Sequence, residues 1–126
     1  MSGDPYSPVV RDYFARAPHA GDLADAITVE IAEQGVRLRL AATMKDGRIR
    51  ALRFRAWGCP HAIAACECFC VEYEGRPVQS LGGFQASDIM RNLSVPVEKT
   101  GRILVLEDTV RSLGRSICGG SVTQKS

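Results

Sequence analysis

The chain has 126 residues, 45% hydrophobic and 24% charged, with a formal net charge of +2. These proportions exclude a disordered or fibrous chain, and the length allows a single core that buries roughly two-thirds of the unfolded surface without disulfides or metal. No run approaches the roughly 18 apolar residues of a membrane span, and MSGDPYSPVV lacks the basic-then-apolar order of a secretion signal. A soluble, cytoplasmic protein without a membrane partner is expected.

In chain order, Ser7 and Pro8 supply an N-cap and a first-turn proline, and Val9, Val10, Tyr13 and Phe14 recur at helical spacing until Pro18. From Ala26 the period drops to two. AITVEIAE, VRLRLAATM and RIRALRFRAW read as strands, with Asp46-Gly47 as a hairpin turn between the last two. One face of the resulting three-stranded meander carries Val36, Leu38, Leu40, Leu52 and Phe54; Arg37, Arg39, Arg53 and Arg55 project from the other. The arginine face reads as a solvated surface, with a docking patch for an acidic partner as the alternative. No aromatic residues interleave with the arginines, so no nucleic-acid partner is expected.

After Cys59, Pro60 starts a helix that runs to about Glu74, with Gly75 at its left-handed stop. EGRPVQSLGG reads as a polar loop, ASDIMRNL as a short helix leading into SVPVEKTG, and a last helix carries Ile103, Leu106, Val110, Leu113 and Ile117 on one stripe. The fold class expected is α+β, a three-stranded antiparallel sheet with helices packed on one face. A single domain should span residues 1–118, followed by a flexible tail over 119–126.

Four of the five cysteines crowd into WGCPHAIAACECFC. An odd, clustered set is unlike an extracellular disulfide framework and suits a reducing compartment. Inert thiols, a metal site and a reactive thiol all stay open on composition alone. Helical geometry places Cys66 and Cys70 on the apolar stripe with Ala62, Ile63, Phe69 and Tyr73, whereas Cys68 points to another face as a side thiol. The spacing of the four fits no common zinc arrangement. Cys59 stands apart, because it falls at a strand-to-helix junction where the helix N-terminus favours a thiolate. His61 reads mainly as a solvated or capping residue and secondarily as a ligand; His19 is a weaker ligand candidate.

These same residues carry a family resemblance. YSPVVRDYFARAPHAG is similar to the opening Tyr-Ser-x-x-Val-x-Asp-His-Phe/Tyr-x-x-Pro-Arg-Asn-x-Gly of the IscU/NifU N-terminal family of iron–sulfur cluster scaffolds. DGRIRALRFRAWGCPHAIAACE resembles that family's Asp-Gly-x-Ile-x-Asp-Ala-x-Phe-x-x-x-Gly-Cys-x-x-Ala-Ile-Ala-Ser-Ser. The resemblance covers roughly Tyr6 to Ile117 and implies a non-enzymatic scaffold that binds iron, an iron–sulfur cluster or zinc through three cysteines and a nearby acidic or histidine residue. It also implies a cysteine desulfurase or other assembly proteins as partners, with a homo-oligomer as one way of supplying ligands.

Cys59 matches the second family cysteine. At the first, AEQGVRL offers Glu33 or its neighbours; at the third, Gly101 and Arg102 stand where the family has histidine and cysteine. VPVEK only partly matches the Leu-Pro-Pro-Val-Lys offered to a chaperone. A [2Fe–2S] cluster wants about four ligands, so the site is expected to be degenerate and centred on Cys59, with His61 and Glu33 as the remaining candidate metal ligands. The alternatives are a cofactor-free single-thiol redox or sulfur-relay protein, in which Arg102 activates Cys59, and a non-metal interaction module built on the arginine face.

Overall fold

The computed structural model describes residues 8, 12, 16–93, 95 and 100–118, the Cys118 side chain excepted. Pro8 and Asp12 are helical; the rest of the expected first helix, the tail and most of SVPVEKTG lie outside the described residues. Three strands, β1 (Ile27–Glu33), β2 (Val36–Lys45) and β3 (Arg48–Trp57), pair antiparallel in the order β1-β2-β3. Helix α1 (Pro60–Tyr73), a 3₁₀ turn (Val78–Gly83), α2 (Ala86–Leu93) and α3 (Thr100–Cys118) follow. Among the described residues no helix is long and apolar enough to cross a membrane.

The turns form where the sequence expects them. Asp46 and Gly47 both have positive φ, 55° and 77°, as a two-residue turn matching the strand twist requires. Register places Leu40 opposite Phe54 and Ala42 opposite Leu52, and Val36, Leu38, Leu40, Leu52 and Phe54 are all buried. Helix α1 packs on β3 while α3 packs on β1 and β2. The stripe Ile103, Leu106, Val110 and Leu113 is buried, with Ile117 packed at its margin.

Two expectations need correction. EGRPVQSLGG is not simply a polar loop, because Val78–Gly83 forms a 3₁₀ turn that buries Leu81. Nor is α1 buried along one stripe alone. Its neighbours are β3 on one side and α2 and α3 on others, so Cys68, placed on another face as a side thiol, is also buried, at 3% exposure.

The outer sheet face is largely self-neutralised. Arg39 and Arg55 lie directly opposite each other, a costly like-charge pairing, and Asp22 joins both. Its carboxylate accepts from Arg55 Nε and Nη2 at 3.0 Å each and lies 3.5 Å from Arg39. Glu30 pairs with Arg39 and Arg37, and Glu74 with Arg53. The Arg55 hydrogen bond in particular holds the Asp22 carboxyl below the usual range.

Around Asp22, residues 19–22 form a strap along β3. Ala20 bridges Phe54 in parallel, the Phe54 N–H donates to the His19 carbonyl, and Gly21 N–H donates to the Phe54 carbonyl. His19 then reaches the helix side, toward Glu67 and Glu74. Burial pushes the half-buried Glu74 carboxyl up, but the Leu52 N–H, His19 and Arg53 together bring it below its ordinary value of 4.5. A lowered native pKa stabilises the fold above the unfolded value and is lost as pH falls through the native one. Denaturant titrations should therefore show wild type exceeding Glu74→Gln at neutral pH, with the gap shrinking as pH falls below about 4.5. A gap independent of pH would contradict this role.

Candidate functional site

Three turns meet at one end of the sheet. The β3–α1 junction supplies Gly58 and Cys59, the β1–β2 turn supplies Gln34 and Gly35, and the first turn of α3 supplies Gly101 and Arg102. Their approach is close: a Cβ placed on Gly58, whose φ is +114°, would sit 2.4 Å from the Gly35 carbonyl oxygen. At Gly101 a Cβ would lie 3.1 Å from Gln34 Oε1. Glycine at both positions lets the turns touch.

Cys59 is the N-cap residue of α1, with extended backbone, Pro60 beginning the helix and the Ile63 N–H donating to its carbonyl. Cys59 is 4% exposed. Arg102 Nη1 donates to Cys59 Sγ at 3.6 Å, and His61 Nδ1 lies 4.0 Å from the same sulfur. His61 is 2% exposed, which corrects the solvated or capping role expected for it: the first turn of α1 enters the packed interior. The side chain faces the thiol.

Of the expected site residues, the structure brings Cys59, His61 and Arg102 together and sets Gly101 beside them under Gln34. Glu33, exposed at the end of β1, does not complete a set with Cys59 and His61. Among the described residues no three His, Cys, Asp or Glu side chains are placed to hold a metal ion. The other thiols are not held in reserve. Burial first, and Glu67 after it, push the Cys66 thiol far up; burial and then Cys66 and the nearby carboxylates do the same for Cys70. Both therefore stay protonated near neutral pH and are poor ligands and nucleophiles.

Sequence reasoning missed three residues. Gln34 gave no signal in its own turn. Glu67, at 1% exposure, accepts from the His19 N–H at 3.0 Å and contacts His19 Nδ1 at 2.5 Å. A charge within the apolar run AACECFC was its only trace. His19 is thus a structural partner of Glu67, separated by 48 positions in sequence. Trp57 borders the site at 41% exposure with Arg37 and Arg39 stacked on its ring at 5.3 and 5.6 Å, which corrects the expectation that no aromatic residue stands among the face's arginines.

A three-stranded meander backed by helices, with three turns converging on a junction cysteine, defines the class, and solved structures share the fold. A hypothetical protein aligns with a TM-score of 0.64 and 15% identity, over 82% of this chain and 94% of its own. A nitrogen-fixing NifU-like protein (N-terminal) from Brucella abortus gives 0.57 and 15%, over 86% and 80%. A candidate iron–sulfur cluster assembly scaffold protein for the SUF system from Fervidobacterium islandicum gives 0.54 and 18%, over 90% and 87%. Comparison with curated proteins gives no match. The family profile described as NifU-like N terminal domain matches residues 5–119, and the chain belongs to this family, a scaffold family of iron–sulfur cluster assembly.

Proposed function

We propose that this chain serves iron–sulfur cluster assembly through a reduced site that carries sulfur on Cys59 and does not hold a cluster on one subunit. The observation that carries the reading is the guanidinium of Arg102, 3.6 Å from the sulfur, at the position where the family has a cysteine. A cation there donates to the sulfur and opposes a second cation, such as iron or zinc, at the same place. The donor set does not fit a [2Fe–2S] cargo, which wants about four ligands: Cys59 is the site's thiol, His61 adds one imidazole, and Glu33 stays apart.

Sulfur transfer needs only what the site has. The Cys59 thiolate attacks the terminal sulfur of a donor persulfide, the class of species a cysteine desulfurase carries. A new S–S bond forms at Cys59, the donor's S–S bond breaks, and its electron pair leaves with the donor thiolate. The product is a Cys59 persulfide, and neither oxidant nor reductant is consumed. Cys59 is nearly covered, so loading requires the flexible Arg102 side chain to yield to the incoming sulfur. His61 lines the other side and is suited to exchange a proton with the bound sulfur. The chain acts as a carrier, emptied and refilled, with no catalytic residue of its own.

Sulfur loading from a small persulfide donor, followed by peptide mass analysis, tests the reading. Cys59→Ser should abolish loading. Arg102→Met, which keeps the stem and removes the charge, should slow it about tenfold, corresponding to loss of one charge-assisted hydrogen bond. Equal rates in Arg102→Met and wild type would remove Arg102 from the chemistry.

A further inference from the structure

The site occupies one end of the molecule, and four exposed cations with no carboxylate partner among the described residues gather at the other. β3 runs from the Asp46-Gly47 hairpin to Trp57 over 10 residues, a span of about 33 Å, so hairpin and Cys59 lie at opposite ends. At the hairpin, Lys45 and Arg48 are cross-strand partners. Arg50 is the extra residue at the register shift, where Thr43 pairs with Ala51 and Met44 with Ile49. Arg76 is brought alongside because Pro77 bridges Arg48 and the Ile49 N–H donates to the Arg76 carbonyl.

All four cations are exposed. Among the described residues, none lies within ion-pair distance of a carboxylate. The contrast with Arg37, Arg39, Arg53 and Arg55, each paired to an acid, is the informative point. Lys45 and Arg48 repel each other across the strands, and Arg48 Nη1 donates to the Gly75 carbonyl at 3.1 Å and not to a carboxylate.

Next to these cations lies an apolar groove. The Val78 N–H donates to the Gly47 carbonyl, fixing the 3₁₀ turn to the hairpin. Val78, Gln79 and Gly82, with the buried Leu81 at the base, form one wall of a groove of about 340 Å³ whose other wall is Arg111, Gly114 and Arg115 of α3. A Cβ on Gly82 would meet nothing within 4 Å, so the groove is open there. Arg115 likewise has no carboxylate partner among the described residues.

We infer that the hairpin and this groove together form a docking surface for an acidic amphipathic segment of a partner protein. Its apolar side chains would seat between the 3₁₀ turn and α3, and its carboxylates would meet Arg115 and the hairpin cations. Charge complementarity selects the occupant. The cations are spread along a hairpin and a helix, which suits several carboxylates on one segment better than one phosphate, and the apolar wall gives a purely polyanionic ligand nothing to fill. Because the surface is remote from Cys59, such a partner could stay bound while the thiol is loaded. The inference does not depend on the chemistry assigned to Cys59.

The test uses the full chain and a synthetic peptide bearing glutamates on one helical face and leucines on the other. Amide shifts on titration should fall at residues 45–50, 76–82 and 111–115, leaving 58–61 and 101–102 unmoved, and binding should weaken with salt. Arg48→Glu combined with Arg115→Glu should weaken binding about tenfold or more. Gly82→Leu, which fills the groove and leaves every charge in place, should do likewise. Circular dichroism of each variant should be that of wild type. The inference is overturned if polyglutamate, duplex DNA or anionic vesicles bind as tightly as the peptide, if the shifts map elsewhere, or if Gly82→Leu binds unchanged.

Discussion

Gly58→Ala should destabilise the fold by about 2–4 kcal/mol and abolish sulfur loading of Cys59 in the protein that still folds. The added methyl meets backbone on two sides, 2.4 Å from the Gly35 carbonyl oxygen and 3.2 Å from Val36 Cα. Neither atom can step aside as a side chain would. The φ of +114° is itself costly for any residue with a Cβ. Relief would require the β1–β2 turn to part from the β3–α1 junction, which moves Cys59 away from Arg102. Urea unfolding gives the stability, and mass analysis after persulfide treatment gives the loading. A loss under about 0.5 kcal/mol, the range of an ordinary surface substitution, would show that the two turns do not need this contact.

His19→Ala should cost about 3 kcal/mol, although position 19 sits in a surface strap. The Glu67 side chain is 1% exposed, and its oxygens are taken by the backbone N–H and ring Nδ1 of His19. Truncating the ring leaves a carboxylate in the interior with only the backbone donor. A second substitution should offset the loss. His19→Ala with Glu67→Leu should recover more than half of the loss, since an apolar side chain at position 67 needs no partner. Additive losses in the double variant would mean that the pair is not coupled. The strap also carries the Phe54 pairing and Asp22, so its loosening should appear as faster amide exchange at Phe54.

Much of this architecture was legible because it rests on local rules. The alternation in VRLRLAATM and RIRALRFRAW placed Leu38, Leu40, Leu52 and Phe54 inside, and Asp46-Gly47 fixed the register between them. Gly58, Cys59 and Pro60 announced a strand-to-helix junction. The nearness of Arg102 to Cys59 came only from the resemblance, as two positions 43 apart carry no local signal of contact. What stayed hidden depends on packing from several directions. Cys68 and His61 are buried because α1 is covered on more than one side, whereas one helical stripe implies a single covered face. Glu67 gained a partner only when His19 arrived from the strap, and the arginine face looked strongly basic until Asp22, Glu30 and Glu74 were placed against it. The cations at the hairpin gained significance only by that comparison.

The central claim is that Cys59 carries sulfur in a site that no longer holds a cluster on one subunit. Anaerobic native mass spectrometry of the full chain, after incubation with a persulfide donor and ferrous iron, tests it in one measurement. The account predicts one added sulfur atom per chain, free of iron, with the added mass lost in Cys59→Ser. A species carrying iron and sulfide in [2Fe–2S] proportion, or sulfur placed on Cys66, Cys68 or Cys70, would contradict it.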